Sequence, residues 1–307
     1  MEKRQLGRTG LSVSVLGYGS AAVGSAAAAD RNAAAETLRT LLDGGVNLVD
    51  TAQVYPGSEE FIGRELADRR DELVLVSKCG HHDVLPDGRL RSRRIGQEDI
   101  DQALRRLRTD YLDVMLLHSY DRDLLEQGEA LDVLVRAREA GKIGHIGYSG
   151  DNETAAYAAS LDCVSVVEMS VNLADQANLE SVLPEARKRD IGVIVKRPLA
   201  NAAWRLLQSD DGVEPHVQPY VERLRTMGLA PANCGLGEAD WAELALRFVL
   251  SLDGLHVAIV GTTNPRNAQA NLAAAQKGPL PADAIGCIRN AFEQARRQAE
   301  EPWPGQN

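Results

Sequence analysis

Four residues able to hold or move a proton stand at or just past the ends of short aliphatic runs. Asp50 closes Leu48-Val49, Lys78 closes Leu73-Val74-Leu75-Val76-Ser77, His118 closes Val114-Met115-Leu116-Leu117, and Tyr55 lies in the loop just past Asp50. A phenol can protonate an alkoxide as it forms if its proton affinity is brought down from the free value near ~10. A nearby ammonium favours the phenolate, and an imidazole can share or orient the donor. A carboxylate paired with a buried ammonium keeps it charged and in place. Together the four residue types suit proton transfer coupled to reduction of a carbonyl by hydride.

That chemistry requires the four groups to meet. An aliphatic run bounded by turn signals reads as a strand buried on both faces. In a parallel α/β protein the carboxyl ends of such strands share one rim, where loops build the site. The pattern predicts strands at 16–20, 46–50, 73–78, 111–118, 141–149, 163–169, 192–196 and 257–260, with helices between them. Eight strand-then-helix units in roughly 250 residues is the count for a (β/α)₈ TIM barrel, read as a single domain over residues 1–307. Lys3–Val15, turning at Gly7-Arg8-Thr9-Gly10, reads as a β-hairpin that plugs the amino-terminal end of the barrel. Helices are expected from Ser58 (as N-cap) to Leu66, over 126–140 and over 179–189. The proline-bearing stretch Pro198–Ala239 reads as a long loop on the catalytic rim after the seventh strand, with a short helix at 221–227; an appended helix at 282–299 and a tail close the chain.

Several motifs point elsewhere and fail on spacing. Gly17-Tyr18-Gly19-Ser20-Ala21-Ala22 fits a dinucleotide fingerprint, but Asp50 lies beyond the ~20 residues expected and the next helix is expected only near Asp30, so Gly19 reads as room for a ligand. Gly147-Tyr148-Ser149-Gly150-Asp151 resembles a nucleophile elbow, with Asp151 where the second glycine belongs. His81 and His82 are adjacent and lack the spacing of a metal pair, so no metal is expected. The net charge of -10 argues against nucleic acid and against an anionic membrane surface. Cys79, Cys163, Cys234 and Cys287 are dispersed and read as free thiols of a reducing compartment, Cys79 being the candidate for reactivity. Without a stretch that reads as a signal peptide or a bilayer span, a cytoplasmic location is expected.

Asp50-Thr51-Ala52 with Tyr55, then a strand ending in Lys78, then one ending in His118, resembles the catalytic tetrad of the aldo-keto reductases. Leu6-Gly7-Arg8-Thr9-Gly10-Leu11 followed by Leu16-Gly17-Tyr18-Gly19 is similar to that family's opening, and the resemblance runs from about Leu6 to about Asn271. It implies that Asp50, Tyr55, Lys78 and His118 are catalytic and that a nicotinamide lies over the barrel mouth. Ser149 matches the family's carboxamide-binding serine, while Gly150 stands where an asparagine usually follows. Glu168 stands where a glutamine is usual; a carboxylate can accept from the amide but cannot donate to its oxygen. Asn172 and Pro198-Leu199 match family positions, and Lys196 aligns with an aromatic or arginine that packs near the ring.

Val260-Gly261-Thr262-Thr263-Asn264-Pro265-Arg266 leads from the eighth strand into a helix, whose N-terminus suits phosphate. The family's two cations for the adenosine 2′-phosphate align with Gly261 and Asn267, which leaves Arg266 as their candidate replacement; Asn271 matches the adenine contact. NADP(H) is the favoured cofactor and NAD(H) the alternative. The expected partner is a small-molecule carbonyl or sugar, in a pocket built from loops near Tyr18–Val23, Tyr55, 81–94, Tyr120, Trp204 and the tail; polar His82, Asp83 and Arg89 lean toward sugars or hydroxy-aldehydes. Two alternatives are an NAD-linked aldose dehydrogenase working oxidatively and a nucleotide-binding regulatory subunit on the same fold.

Overall fold

The computed structural model describes residues 1–24, 28–84, 90–209, 212–236 and 240–306. Its strands are β1 (Lys3–Gln5), β2 (Ser12–Ser14), β3 (Leu16–Gly19), β4 (Leu48–Asp50), β5 (Val74–Cys79), β6 (His82–Val84), β7 (Leu90–Ser92), β8 (Leu112–His118), β9 (Ile143–Ser149), β10 (Val164–Ser170), β11 (Gly192–Lys196) and β12 (Val257–Val260). Eight of them close a parallel barrel in the order β3-β4-β5-β8-β9-β10-β11-β12, and β12 pairs back onto β3. The fold is a (β/α)₈ TIM barrel, as the alternation predicts.

Side chains on a strand alternate faces, so every second residue of a barrel strand points to the axis. Leu48, Val76, Leu116, Val166, Ile194 and Ile259 belong to one apolar cluster inside the barrel. Two residues further along each strand direction stand Asp50, Lys78, His118, Glu168, Lys196 and Gly261. The apolar interior therefore gives way to polar groups in a single step at the carboxyl rim. Parallel register keeps them level: Asp50 pairs with Gly19, His118 with Ser149, and Ser149 with Glu168.

At the opposite end the antiparallel pair β1–β2 caps the barrel. Leu6 and Val13, both fully buried, join the inner cluster. The plug seats against β11: Arg8 N–H donates to the Asp190 carbonyl at 2.7 Å. Gly7 is required there, since its φ is +50° and a Cβ would come within 2.4 Å of Gly192 N. Leu6→Ala should destabilise the protein by about 2–5 kcal/mol, read by urea or thermal unfolding, because it leaves a cavity in the fully buried inner cluster.

Some local expectations need correction. Gly57, in the left-handed region, is the N-cap of the helix Ser58–Glu65, and Ser58 lies inside its first turn. There its hydroxyl donates to Ser20 Oγ at 2.7 Å and contacts Thr51 Oγ1 at 2.9 Å, tying the loops after β3 and β4 together. The helix expected over 126–140 breaks at Gly128 (φ +80°) into Arg122–Gln127 and Glu129–Glu139. The one expected over 179–189 breaks at Val182, just before Pro184, whose missing N–H cannot continue the ladder. A short helix, Ala21–Gly24, directly follows β3, so a helix does begin beside those glycines. The loop after β5 contains the antiparallel pair β6–β7, whose polar residues gave no strand signal. Within Pro198–Ala239 the helix is longer than predicted, Gln218–Met227, with Pro219 in its first turn.

Candidate active site

Lys78 is the centre of the rim cluster. Its side chain is fully buried, and its ammonium donates to both oxygens of Asp50 and, at 3.1 Å, to the Thr51 carbonyl. A second carboxylate approaches it: Glu168 Oε2 lies 3.4 Å from Nζ. Above the ammonium lies the half-buried Tyr55 ring, its centroid 5.6 Å from Nζ. Tyr55 also meets the His118 ring edge-on at 5.9 Å, and His81 packs on the other side of His118 at 4.6 Å. The structure thus brings Asp50, Tyr55, Lys78 and His118 together.

The charges set each other's protonation. Burial works against the Lys78 ammonium, yet Asp50 and Glu168 outweigh it and hold the group above its ordinary value. Burial and the Glu168 charge push the Asp50 carboxyl well up, although Lys78 opposes them. For His118, burial and then the Lys78 charge drive the imidazole well down, so the ring is neutral at physiological pH; its Nδ1 is buried without a hydrogen-bond partner. Tyr55 departs from the sequence expectation. Burial raises it, Asp50 and Glu168 add to that, and the Lys78 and Arg197 charges do not bring it back down. The ammonium faces two carboxylates, and little of its field is left uncompensated at the phenol.

Glu168 and Ser149 form a pair, the serine hydroxyl donating to Oε1 at 3.1 Å, while Oε2 has no hydrogen-bond partner. Lys196 is held by Asp151, Nζ to Oδ2 at 2.9 Å. Asn172 is fully buried and its amide is used by backbone: it accepts from Ala174 N–H at 2.9 Å and donates to the Arg197 carbonyl at 3.1 Å. It shapes the strand end rather than facing open space. The tail returns to the same rim, where the Gln306 carbonyl accepts from Arg197 Nη1 at 2.6 Å and from Ser170 Oγ at 2.9 Å.

A cleft of about 720 Å³ runs from the cluster to the loop after β12. Gly19, Asp50, Tyr55, His118, Glu168, Lys196, Pro198, Leu199, Gly261, Thr262 and Asn271 line it. Lys78, Ser149 and Asn172 lie behind its wall. Arg266 is exposed at the helix Pro265–Gln276 and is not part of the lining. Asn264 caps that helix by accepting from Arg266 N–H at 3.0 Å, and Thr262, Asn267 and Asn271 face the cleft instead. Tyr120 is buried beneath Gly80, and His82 pairs with Asp121 at 3.1 Å, so neither lines the cleft; Arg89 lies outside the described residues. Cys79 is buried, and burial pushes its thiol far up, which makes it inert rather than reactive. Arg197, His216, Asp240 and Asn267 line the cleft without having been picked out from the sequence as cleft residues. Arg197 was open to prediction as the neighbour of a strand-end residue, and Asp240 as the start of the helix read over 240–250; His216 comes from a stretch with no periodic pattern.

The model of the Aldo/keto reductase family matches residues 15–293. The chain belongs to this family. As a member of the aldo/keto reductases it is an oxidoreductase, and its relatives match along nearly their whole length. It is 29% identical to the L-galactose dehydrogenase of Arabidopsis thaliana over 290 residues, 89% of this chain and 88% of that protein. Among solved structures, the holo form of aldo-keto reductase AKR11C1 from Bacillus halodurans superposes with a TM-score of 0.76 at 25% identity, covering 95% of this chain and 96% of that one. An aldo-keto reductase from Klebsiella pneumoniae in complex with NADPH shares the fold, with a TM-score of 0.72 at 24% identity over 95% of this chain and 96% of that one. Among the described residues of this aldo/keto reductase, no helix is long and apolar enough to cross a membrane, and no group of His, Cys, Asp and Glu is arranged to hold a metal ion.

Proposed function

We propose that this aldo/keto reductase moves hydride between a nicotinamide cofactor and the carbonyl or alcohol carbon of an aldehyde, ketone or sugar, with Tyr55 as proton donor and acceptor. The observation that carries the reading is the Lys78 ammonium, clamped by Asp50 directly beneath the Tyr55 ring and beside a neutral imidazole. The residues fit a dinucleotide: the cleft reaches from this cluster to the N-terminus of the helix Pro265–Gln276, and the orphaned Glu168 Oε2 supplies an acceptor for a carboxamide N–H₂ near the rim. Ser149, Glu168, Lys196, Pro198 and Leu199 would hold the nicotinamide half; Gly19, Gly261, Thr262, Arg266 and Asn271 would hold the rest. Asn172 would act through Arg197. Once bound, the reduced nicotinamide supplies the hydride.

The residues supply the proton. As the carbonyl carbon gains hydride, its oxygen takes the Tyr55 proton, and the resulting phenolate sits against the Lys78 ammonium. His118, neutral, can donate one hydrogen bond to the same oxygen and so fix the carbonyl's orientation. Burial holds Tyr55 protonated through neutral pH. Carbonyl reduction should therefore stay level through neutral pH and fall only in the alkaline range, whereas alcohol oxidation, which needs the phenolate, should rise there. Steady-state pH profiles in the two directions check this.

NADP(H) is the favoured cofactor, with Arg266 gripping the 2′-phosphate. On that reading Arg266→Ala should weaken NADPH by about 1.5–3 kcal/mol and leave NADH almost unchanged, measured by fluorescence or calorimetric titration. One observation favours a second reading, an NAD-linked aldose dehydrogenase: Arg266 is exposed outside the cleft, and Gly261 and Asn267 put no cation into it. The likeness to an L-galactose dehydrogenase points the same way. A panel of aldehydes, ketones and aldoses, run with NADPH and with NAD⁺, separates the two. Failure of every substrate with both nucleotides, together with intact nucleotide binding, would favour a regulatory role instead.

A further inference from the structure

Glu168 does more at this rim than face a carboxamide. It points to the barrel axis one step above Val166, with its carboxylate buried to 2% exposure. Its two oxygens have different surroundings: Oε1 accepts from Ser149 Oγ at 3.1 Å, and Oε2 stands 3.4 Å from Lys78 Nζ with no hydrogen-bond donor of its own. Asp50 holds the same ammonium, and the two carboxyls lie within hydrogen-bond reach of each other. A single buried cation thus faces two carboxylates, where one would suffice to keep it charged.

We propose that Glu168 is a second counter-ion of Lys78, a positioning residue that weakens the ammonium's pull on Tyr55 and so sets the pH at which the phenol gives up its proton. The inference rests on the reading of Tyr55 as proton donor. Two carboxylates against one ammonium leave the cluster with an excess negative charge, and the field at the phenol is more negative than that of a site with Asp50 alone. The other charged groups do not reverse this. Arg197 faces Tyr55 and pulls it down, but less than Asp50 and Glu168 each push it up; Lys196 is paired with Asp151, and His118 with its neighbour His81 stays neutral, burial and the nearby cations lowering the one and burial the other. Tyr55 is displaced upward chiefly by burial, with Asp50 and then Glu168 adding to it against the ammonium below.

The consequence is a site poised toward the protonated phenol, which suits reduction over a wide pH range and delays oxidation to higher pH. The test compares the enzyme with Glu168→Gln and Glu168→Asp in pH profiles of kcat/KM, at saturating nucleotide, for reduction of a carbonyl and oxidation of its alcohol. In Glu168→Gln both alkaline limbs should move to lower pH by about one unit or more, together, while Glu168→Asp keeps the charge and stays near the parent. A KM effect without movement of either limb would overturn the proposal and leave Glu168 a cofactor contact only. Movement to higher pH would also overturn it. Tyr55→Phe measured alongside separates this failure from that of the underlying reading. If the limbs persist without the phenol, the assignment of Tyr55 fails; if they vanish with it yet ignore Glu168→Gln, only the counter-ion role fails.

Discussion

Tyr55→Phe is expected to lower turnover by about 10²–10⁴-fold while nucleotide binding stays near normal. The change removes one oxygen from a ring that is half-buried over Lys78 and edge-on to His118, so packing of the aromatic face is kept. What is lost is the proton. His118 cannot replace it in the same role, because burial and the Lys78 charge hold its imidazole neutral and therefore a poor acid. Steady-state kinetics with a reducible aldehyde, together with a nucleotide titration, check both halves of the expectation.

Lys78→Met should be comparably damaging, by about 10²–10⁴-fold, for a different reason. The methionine fills the volume but leaves two buried carboxylates, Asp50 and Glu168, facing each other without a cation. They must then hold a proton, and Tyr55 loses the charge that steadies its phenolate. The variant carries a larger stability signature than Tyr55→Phe, because the ammonium that opposes the rise of Asp50 is gone. A carboxyl raised in the folded state stays protonated there after it has ionised in the unfolded chain, so the unfolded state binds fewer protons and stability falls as pH rises past the ordinary carboxylate range. Urea unfolding of Lys78→Met at mildly acidic and at neutral pH should show the variant less stable at neutral pH. A variant as stable as the parent at both would mean that the pair relaxes toward water.

Much of this architecture is visible in the chain because a barrel makes the sequence periodic in a simple way. Each buried parallel strand reads as an aliphatic run, and the first ionisable residue at its carboxyl end is a rim group. That logic finds Asp50, Lys78 and His118 directly. It extends to Glu168 and Lys196, which stand two residues past Val166 and Ile194 on the same inward face. The protonation of the site was not legible, however. The sequence names Lys78 as the residue that would bring Tyr55's proton affinity down, but the balance depends on burial and on a second carboxylate arriving from β10, a strand distant in the chain.

Loops were harder for the same physical reason. His216 reaches the cleft from a segment whose side chains follow no strand or helix period, and Arg197 and Asp240 reach it from just beyond the ends of a strand and a helix. The tail docks through backbone groups, as at Gln306, and backbone hydrogen bonding leaves no mark on residue type. Arg266 shows the converse limit. Its charge and position beside the eighth strand suggest a phosphate contact, but residue type alone does not show that Asn267 and Asn271 line the cleft while Arg266 stands exposed beside it.

On the proposed mechanism, Tyr55 delivers the proton at a nicotinamide-dependent site built on Lys78. The most direct measurement is a single-turnover experiment in which the enzyme, loaded with reduced nucleotide, is mixed with a panel of aldehydes, ketones and sugars while the nicotinamide absorbance is followed. Tyr55→Phe is treated identically after titration has shown it to carry the same nucleotide. The parent protein is predicted to lose the dihydronicotinamide signal with at least one carbonyl, and the loaded variant to lose it about 10²-fold more slowly or not at all. Equal rates for the two proteins, both shown to be loaded, would contradict the account.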